Sequence, residues 1–130
     1  MTSIISDKRL NAIPLSEPAI IGNEWKYIKE CLDTGWVSSV GSYVNRFEKM
    51  VAEYVGCEYG IAVVNGTSAL HLSLLVCDVK SGDEVIVPTL TFVATANVVR
   101  YCGADPVFID CDQETLCLDV EKLKLFLEMD

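Results

Sequence analysis

The chain has few basic residues and a single histidine. Its 10 lysines and arginines stand against 19 acidic residues, which gives a net charge of -9. That charge opposes long-range attraction to nucleic acid or to an anionic membrane, so neither is an expected partner. No apolar run approaches the roughly 20 residues of a membrane-spanning helix, and residues 1–10 lack the apolar core of a signal peptide. We therefore expect a cytoplasmic protein.

Paired cysteine motifs are also missing. No CxxC occurs among the six cysteines, and the lone histidine leaves too few ligands of that kind for a structural zinc site. The scattered spacing also argues against a disulfide framework. We therefore expect no metal site. We expect the cysteines to be reduced thiols that mostly serve as small core residues, and they are Cys31, Cys57, Cys77, Cys102, Cys111 and Cys117.

Apolar residues, by contrast, make up 51% of the 130 residues, which is enough to build a core. Two helical patterns come first. Asn23 is expected to cap the first helix and Gly35 to end it, and Gly56 is expected to end the second. The stretch "WVSSVGS" connects them. The faces expected to point inward consist of Trp25, Ile28 and Leu32, and of Val44, Phe47, Val51, Tyr54 and Val55.

After residue 59 the pattern alternates between short apolar runs and helical segments. It predicts strands at 60–64, 84–88 and 107–110, and helices at 67–78, at 92–102 and from about Asp119 onward. The strands are apolar almost throughout, as expected when helices cover both faces of a parallel sheet. The predicted class is α/β. Because the last helical pattern is still running at residue 130 and three strands leave open edges, we expect a fragment of a larger protein.

Two turns that follow predicted strands carry polar groups, and ligands bind at that edge of a parallel sheet. The first is Asn65-Gly66-Thr67-Ser68, which opens a helix. A helix N terminus offers unpaired N–H groups and a positive dipole end, so this turn is able to hold an anion such as phosphate. Thr67 and Ser68 are equally able to act as plain helix caps, and the spacing does not separate the two interpretations.

The second turn is "PTLTFVATAN", in which Thr89, Thr91 and Thr95 supply hydroxyl groups. Phe92 enters the next helix near the same sheet edge, where its ring is able to stack on a flat ligand. The alternative is that Phe92 is an ordinary core residue, which is the more frequent role of an aromatic residue at a helix start.

Three further residues have side chains capable of catalysis, but a structural role is favoured for each of them. His71 lies one helical turn beyond Thr67, yet no cysteine or serine nucleophile motif accompanies it, so packing is favoured. Asp110 and Asp112 follow the last strand, where acidic residues usually lie in solvated turns. We expect neither aspartate to be catalytic.

Several motifs in the same order resemble one known family. They cover nearly the whole chain and are "IPLSEPAIIGNEWKYIKECLDTGWVSSVGSYVNRFEKMVAEYVG", "VVNGTSALHLSLL", "SGDEVIVPTLTFVATANVVRYCGADPVFIDCD" and "TLCLD". The chain resembles the N-terminal part of the DegT/DnrJ/EryC1/StrS family of pyridoxal-phosphate-dependent nucleotide-sugar aminotransferases. The resemblance implies the large domain of an aspartate-aminotransferase-type fold (PLP fold type I). Residues 1–58 are then an N-terminal helical segment with a substrate-side loop, and residues 59–130 the first part of the PLP-binding domain.

The resemblance also implies roles for individual residues. Gly66, Thr67 and Ser68 match the loop that holds the phosphate of pyridoxal 5'-phosphate (PLP), and Phe92 matches the aromatic residue that stacks on its ring. The loop "TGWVSSVG" matches the substrate side, which implicates the three residues Trp36, Ser38 and Ser39.

The implied reaction transfers an amino group, from glutamate as the expected donor, to a nucleotide-linked 4-keto-6-deoxy hexose. The sequence of the loop is most similar to the legionaminic-acid branch of the family. The resemblance also implies a homodimer with active sites at the subunit interface. The pathway implied is bacterial surface-polysaccharide or nonulosonic-acid biosynthesis.

No catalytic residue is expected within the 130 residues. The family's Schiff-base lysine, its aspartate for the pyridine nitrogen and a further phosphate-binding serine all lie downstream of a stretch like this one. Asp110 is therefore not assigned to the pyridine nitrogen, and the lysines in surface contexts, Lys80, Lys122 and Lys124, are not assigned to the Schiff base. The chain alone should be inactive.

Two alternatives stay open. Some relatives in the family are PLP-dependent sugar dehydratases that carry histidine in place of the lysine, and nothing in residues 1–130 separates them from aminotransferases. A non-catalytic nucleotide-binding α/β module is the other alternative. It is disfavoured because the turn "NGTSAL" lacks the GxGxxG that lets a pyrophosphate approach a helix.

Overall fold

Two amphipathic helices come first in the part of the chain that the computed structural model describes, residues 14–129. Helix α1 spans Glu24–Thr34 and helix α2 spans Ser42–Val55. Gly35 and Gly56 end them in the left-handed conformation, with φ of 74° and 73°, as the sequence predicts. Asn23 occupies the N-cap position of α1, but its side chain makes no capping hydrogen bond.

Strands and helices alternate in the second half. The elements are helix α3 at Gly66–Val76, strand β1 at Glu84–Pro88, helix α4 at Val93–Tyr101, strand β2 at Asp105–Ile109 and helix α5 at Val120–Leu127. The two strands pair in parallel, from Glu84 opposite Asp105 to Pro88 opposite Ile109. Helix α4 packs on both strands, and α3 packs on α4. The predicted α/β class with a parallel sheet is confirmed.

The core of this region is small and formed by aliphatic side chains. Val87 of β1, Val99 of α4 and Ala104 are all almost fully buried and contact one another. Leu74 of α3 packs against them and links this helix to the core. The sheet and its covering helix are thereby held as one unit, which fixes the turns at the ends of the strands.

The strand predicted over 60–64 does not form. A strand needs a partner for its hydrogen-bond ladder, and the two strands within residues 14–129 pair only with each other. Instead, the segment lies against α2: the N–H of Ala62 donates to Oε1 of Glu48 at 2.8 Å. A Cβ on Gly60 would come within 2.5 Å of the carbonyl oxygen of Glu48, so the two backbones meet where only glycine fits. The end of the strand predicted at 107–110 is also wrong, because β2 begins at Asp105 and ends at Ile109.

The inward faces predicted for α1 and α2 are largely exposed in residues 14–129. Trp25 is 67% exposed and Tyr54 is 92% exposed, and the other large residues of both faces are exposed or half-buried. Only Ala52 of the two helices is buried. The pattern predicts burial against a core, but within the described residues no strand or helix of the second half packs extensively on these faces.

The cysteines are free thiols but are not core residues. Cys57, Cys77 and Cys117 are exposed and the other three are half-buried. The prediction that they mostly fill the core is wrong, because aliphatic residues occupy the buried positions. None of the helices described in residues 14–129 is long and apolar enough to span a bilayer. The expectation for residues 1–10 lies outside the described residues.

Candidate cofactor site at two helix N termini

The N terminus of α3 is built around Asn65. This residue is extended, with φ of -164° and ψ of 171°, and its side-chain oxygen accepts a hydrogen bond from the N–H of Ser68 at 2.9 Å. Asn65 is therefore the helix cap, and Thr67 and Ser68 are not. The interpretation of Thr67 and Ser68 as plain helix caps is therefore wrong, because Asn65 fills that role.

The donors left over at this helix start are the backbone N–H groups of Gly66 and Thr67 and the hydroxyl groups of Thr67 and Ser68. Within residues 14–129 none of these four groups makes a hydrogen bond. Thr67 and Ser68 are half-buried and Gly66 is exposed. Two amide donors, two hydroxyl donors and the positive end of a helix dipole are the groups that a phosphate dianion accepts from. The donor set fits the phosphate of PLP.

Gly66 has no conformational need to be glycine. Its φ is not positive, and apart from its chain neighbours and the backbone of α3 itself, a Cβ at this position would meet no described atom within 4 Å. Alanine generally stabilises a helix more than glycine does, so the conformation of these residues gives no reason for glycine here. Glycine is also the residue expected where a ligand approaches the backbone closely.

Phe92 is the N-cap residue of the neighbouring helix α4, the position that Asn65 occupies in α3, and has φ of -62° and ψ of 141°. Its ring is 87% exposed, so the interpretation as a core residue is wrong. Helices α3 and α4 contact each other, but no hydrogen bond or ring contact within residues 14–129 joins Phe92 to Thr67 or Ser68. The structure presents an unused aromatic face at one helix start and unused donors at the other.

The turn before Phe92 is tied to the end of strand β2. The hydroxyl of Thr89 lies 3.4 Å from Oδ1 of Asp110, and the N–H of Leu90 donates to the sulfur of Cys111 at 3.3 Å. Thr91 and Thr95 share a hydroxyl hydrogen bond of 2.9 Å. The three threonine hydroxyls are thus engaged within the chain. Sequence reasoning missed Cys111, since no motif marks a thiol as an acceptor for a turn.

The two aspartates after β2 have structural partners. Asp110 accepts a hydrogen bond from Nζ of Lys122 at 2.7 Å, and this bond is the main reason that its pKa is lowered. Asp112 accepts from the N–H and the hydroxyl of Thr115, at 2.7 and 2.8 Å, and the backbone bond is the largest cause of its lowered pKa. Both carboxylates are held in the charged form by partners within the chain.

His71 packs edge-on against the ring of Tyr101, with centroids 5.7 Å apart. This contact joins α3 to α4. The packing interpretation therefore has a defined partner for His71.

The substrate-side loop lies beside a groove between α1 and α2 with a volume of about 520 Å³. Trp36 and Ser38 line this groove and Ser39 does not. The groove is mostly apolar, and its other lining residues are Tyr27, Ile28, Cys31, Leu32, Val37 and Tyr43.

Two tyrosines that sequence reasoning missed shape one wall. The rings of Tyr27 and Tyr43 lie 5.2 Å apart, and the hydroxyl of Tyr43 donates to Glu30 at 2.7 Å. That hydrogen bond raises the pKa of Tyr43 to about 12. The signal available in the sequence was the helical spacing that puts Tyr27 and Cys31 on one face of α1.

Comparison with known proteins identifies the family. The model of the DegT/DnrJ/EryC1/StrS aminotransferase family matches residues 18–128. A GDP-perosamine synthase of Caulobacter vibrioides is 49% identical over 91% of this chain and 32% of its own length. The chain spans about a third of the length of the curated relatives that it matches.

Two solved structures extend the likeness to the fold. A Streptococcus pneumoniae protein classed as a sugar aminotransferase, in its PLP form, is 33% identical with a TM-score of 0.80, over 87% of this chain and 29% of that one. A GDP-4-keto-6-deoxymannose-3-dehydratase with a trapped PLP-glutamate geminal diamine is 30% identical with a TM-score of 0.77, over 88% and 31%. The chain therefore belongs to the DegT/DnrJ/EryC1/StrS aminotransferase family and has part of the fold type I architecture.

Proposed function

We propose that the full-length protein is a PLP-dependent aminotransferase that acts on a nucleotide-linked 4-keto-6-deoxy hexose. The observation that carries the proposal is the set of four unused donors at the start of α3, beside a glycine for which the described fold has no need. Family membership and the PLP-containing neighbours support it.

The residues of this chain would bind and orient the cofactor. Gly66 and Thr67 would donate backbone N–H groups to the phosphate, and Thr67 and Ser68 would add their hydroxyls. Phe92 would cover one face of the pyridine ring, which is worth about 0.5–1.5 kcal/mol beyond the area it buries. When bound, PLP supplies the electron sink that amino-group transfer needs. In this proposal residues 1–58 carry the substrate-side loop, and residues 59–130 form the first part of the cofactor-binding domain.

The substrate side is proposed to involve Trp36, Ser38 and Ser39. The first two line one apolar groove, and Ser39 is exposed on the same loop. We propose GDP as the nucleotide to test first, because three GDP-perosamine synthases are 46–49% identical to this chain. The similarity to the legionaminic-acid branch stays a prediction. We propose glutamate as the donor, a homodimer as the assembly and the cytoplasm as the site of a reaction whose charged substrate does not cross membranes unaided.

A sugar dehydratase of the same family is the second candidate. The observation that favours it is the 30% identity and TM-score of 0.77 to a dehydratase. The residue at the Schiff-base position separates the two, since lysine supports aminotransfer and histidine supports dehydration. The non-catalytic module has no observation in its favour.

The test uses the full-length protein. We expect saturable PLP binding, and glutamate-dependent formation of an amino sugar from a GDP-linked 4-keto-6-deoxy hexose. Thr67→Val should weaken PLP binding about tenfold or more, because it removes one charge-assisted hydrogen bond worth about 1.5–3 kcal/mol.

The matched control is Ser73→Ala, which deletes a hydroxyl further along α3 whose one partner among the described residues is the carbonyl of Ala69, at 2.9 Å. It should leave PLP affinity unchanged. Absence of PLP binding by the unaltered protein would overturn the proposed function. Loss of a hydroxyl from the sugar ring without gain of nitrogen would support the dehydratase instead.

A further inference from the structure

The carboxylate of Asp110 joins three segments of the chain. Its oxygens accept hydrogen bonds from the hydroxyl of Thr89 at 3.4 Å, from the N–H of Cys111 at 2.8 Å and from Nζ of Lys122 at 2.7 Å. These donors belong to the turn after β1, the turn after β2 and helix α5. Lys122 also lies 3.5 Å from Oδ2 of Asp119, the N-cap residue of α5, so its ammonium group is held between two carboxylates.

The turn at residues 89–92 is fixed from both ends. The N–H of Thr89 donates to the carbonyl of Ile109 at 3.0 Å, and that of Leu90 to the sulfur of Cys111 at 3.3 Å. At the other end the N–H of Thr95 donates to the carbonyl of Phe92 at 3.0 Å. The backbone that carries Phe92 is therefore anchored, although the ring itself is 87% exposed.

A ring on an anchored backbone is partly preorganised for stacking, because the position from which it extends is set before a ligand arrives. We propose that Asp110 and Lys122 are positioning residues that hold the 89–92 turn and thereby fix the backbone position from which the Phe92 ring meets a flat aromatic ligand. The inference rests on the proposed function, which makes that ligand PLP. Exposed ion pairs contribute little to stability. The proposed effect of the Asp110–Lys122 pair is therefore on the position of the turn and not on the stability of the fold.

The test is Lys122→Met in the full-length protein, with Lys124→Met as the matched control. Lys124 lies on the same helix and pairs with Glu121 at 2.7 Å, so its loss changes the charge equally without touching the turn. The first readout is the PLP dissociation constant. The second is the backbone hydrogen exchange of a peptide that covers residues 89–92 in the cofactor-free protein.

We expect Lys122→Met to raise the PLP dissociation constant about twofold to fivefold, the range that loss of one exposed ion pair supports. The 89–92 peptide should exchange faster, while both variants melt at the same temperature. Lys122→Arg should restore both readouts, because it keeps a cation beside Asp110.

Two results would overturn the inference and are distinguishable. If the unaltered protein binds PLP and Lys122→Met matches Lys124→Met in affinity and exchange, the positioning role is wrong and the proposed function stands. If the unaltered protein binds no PLP, the proposed function fails and the positioning role with it.

Discussion

Replacing Gly66 by alanine should stabilise the fold and weaken cofactor binding at the same time. The stabilisation follows from the open space around this position, where a Cβ would meet no described atom within 4 Å outside its chain neighbours and the backbone of α3, and from a φ that is not positive. Alanine is favoured over glycine in a helix by about 0.5–1 kcal/mol, and Gly66 is the first residue of α3. We expect a gain at the lower end of that range.

The loss of affinity follows from the same Cβ. It would stand beside the N–H groups of Gly66 and Thr67, which we propose to meet the phosphate of PLP. Loss of one charge-assisted hydrogen bond costs about 1.5–3 kcal/mol, which is roughly a tenfold or greater rise in the dissociation constant. Two effects of opposite sign at one residue would separate a ligand requirement from a folding requirement.

Both quantities are measurable on the full-length protein. Urea unfolding of the cofactor-free form gives the free energy, and PLP titration gives the dissociation constant. The control is Gly60→Ala, whose Cβ would come within 2.5 Å of the carbonyl oxygen of Glu48 and should destabilise the fold. A destabilised Gly66→Ala variant, or one that binds PLP as tightly as the unaltered protein, would refute the reasoning.

Three further predictions concern separate parts of the chain. Phe92→Leu should weaken PLP binding by about 1 kcal/mol in the same titration and leave the melting temperature unchanged, because the ring is 87% exposed; a drop in melting temperature would make the ring structural. Val99→Ala should lower the free energy of unfolding by about 2 kcal/mol in urea, since it removes two methyl groups from a side chain that is 1% exposed; an unchanged value would contradict its place in the core. Because the carboxylate of Glu30 raises the pKa of Tyr43 from 10.0 to about 12, the stability from this bond is fully present below pH 10 and is lost as the pH rises toward 12. Tyr43→Phe should make the decline measured between pH 9 and 12 shallower, because Tyr59 and Lys122, whose pKa values are also raised, contribute to the same window. A decline as steep as that of the unaltered protein would exclude Tyr43 as a source.

Elements with strong local signals were predictable from the sequence. Strand β1 has the predicted bounds because its apolar run ends at Pro88, and α1 and α2 end at Gly35 and Gly56, which supply the left-handed conformation. The run at 60–64 has a similar composition but no paired strand, since pairing depends on a distant partner that local composition does not specify.

In the candidate site, too, features with a local sequence signal were predictable and features that depend on three-dimensional geometry were not. That Gly66 opens a helix was predictable, because a turn signal and a helical pattern meet there. That Asn65 takes the N–H of Ser68 was not, because Asn65, Thr67 and Ser68 are all capable of capping and only the three-dimensional geometry selects one. The acceptor role of Cys111 depends on two turns from different strands meeting, which no local pattern reports.

The starts of α3 and α4 share a property that bears on function. Gly66 occupies a first-turn position where alanine is more stable, and Phe92 occupies an N-cap position where serine, threonine, aspartate or asparagine is preferred. Phe92 also exposes a large apolar ring to water and forms no cap hydrogen bond. Each residue is locally unfavourable, and the fold described here supplies no compensation for either. Departures from local preference concentrate where a protein binds something, because a ligand then provides the missing contacts. One residue leaves room for an anion and the other offers a flat aromatic face, and a phosphorylated heteroaromatic cofactor meets both conditions at once.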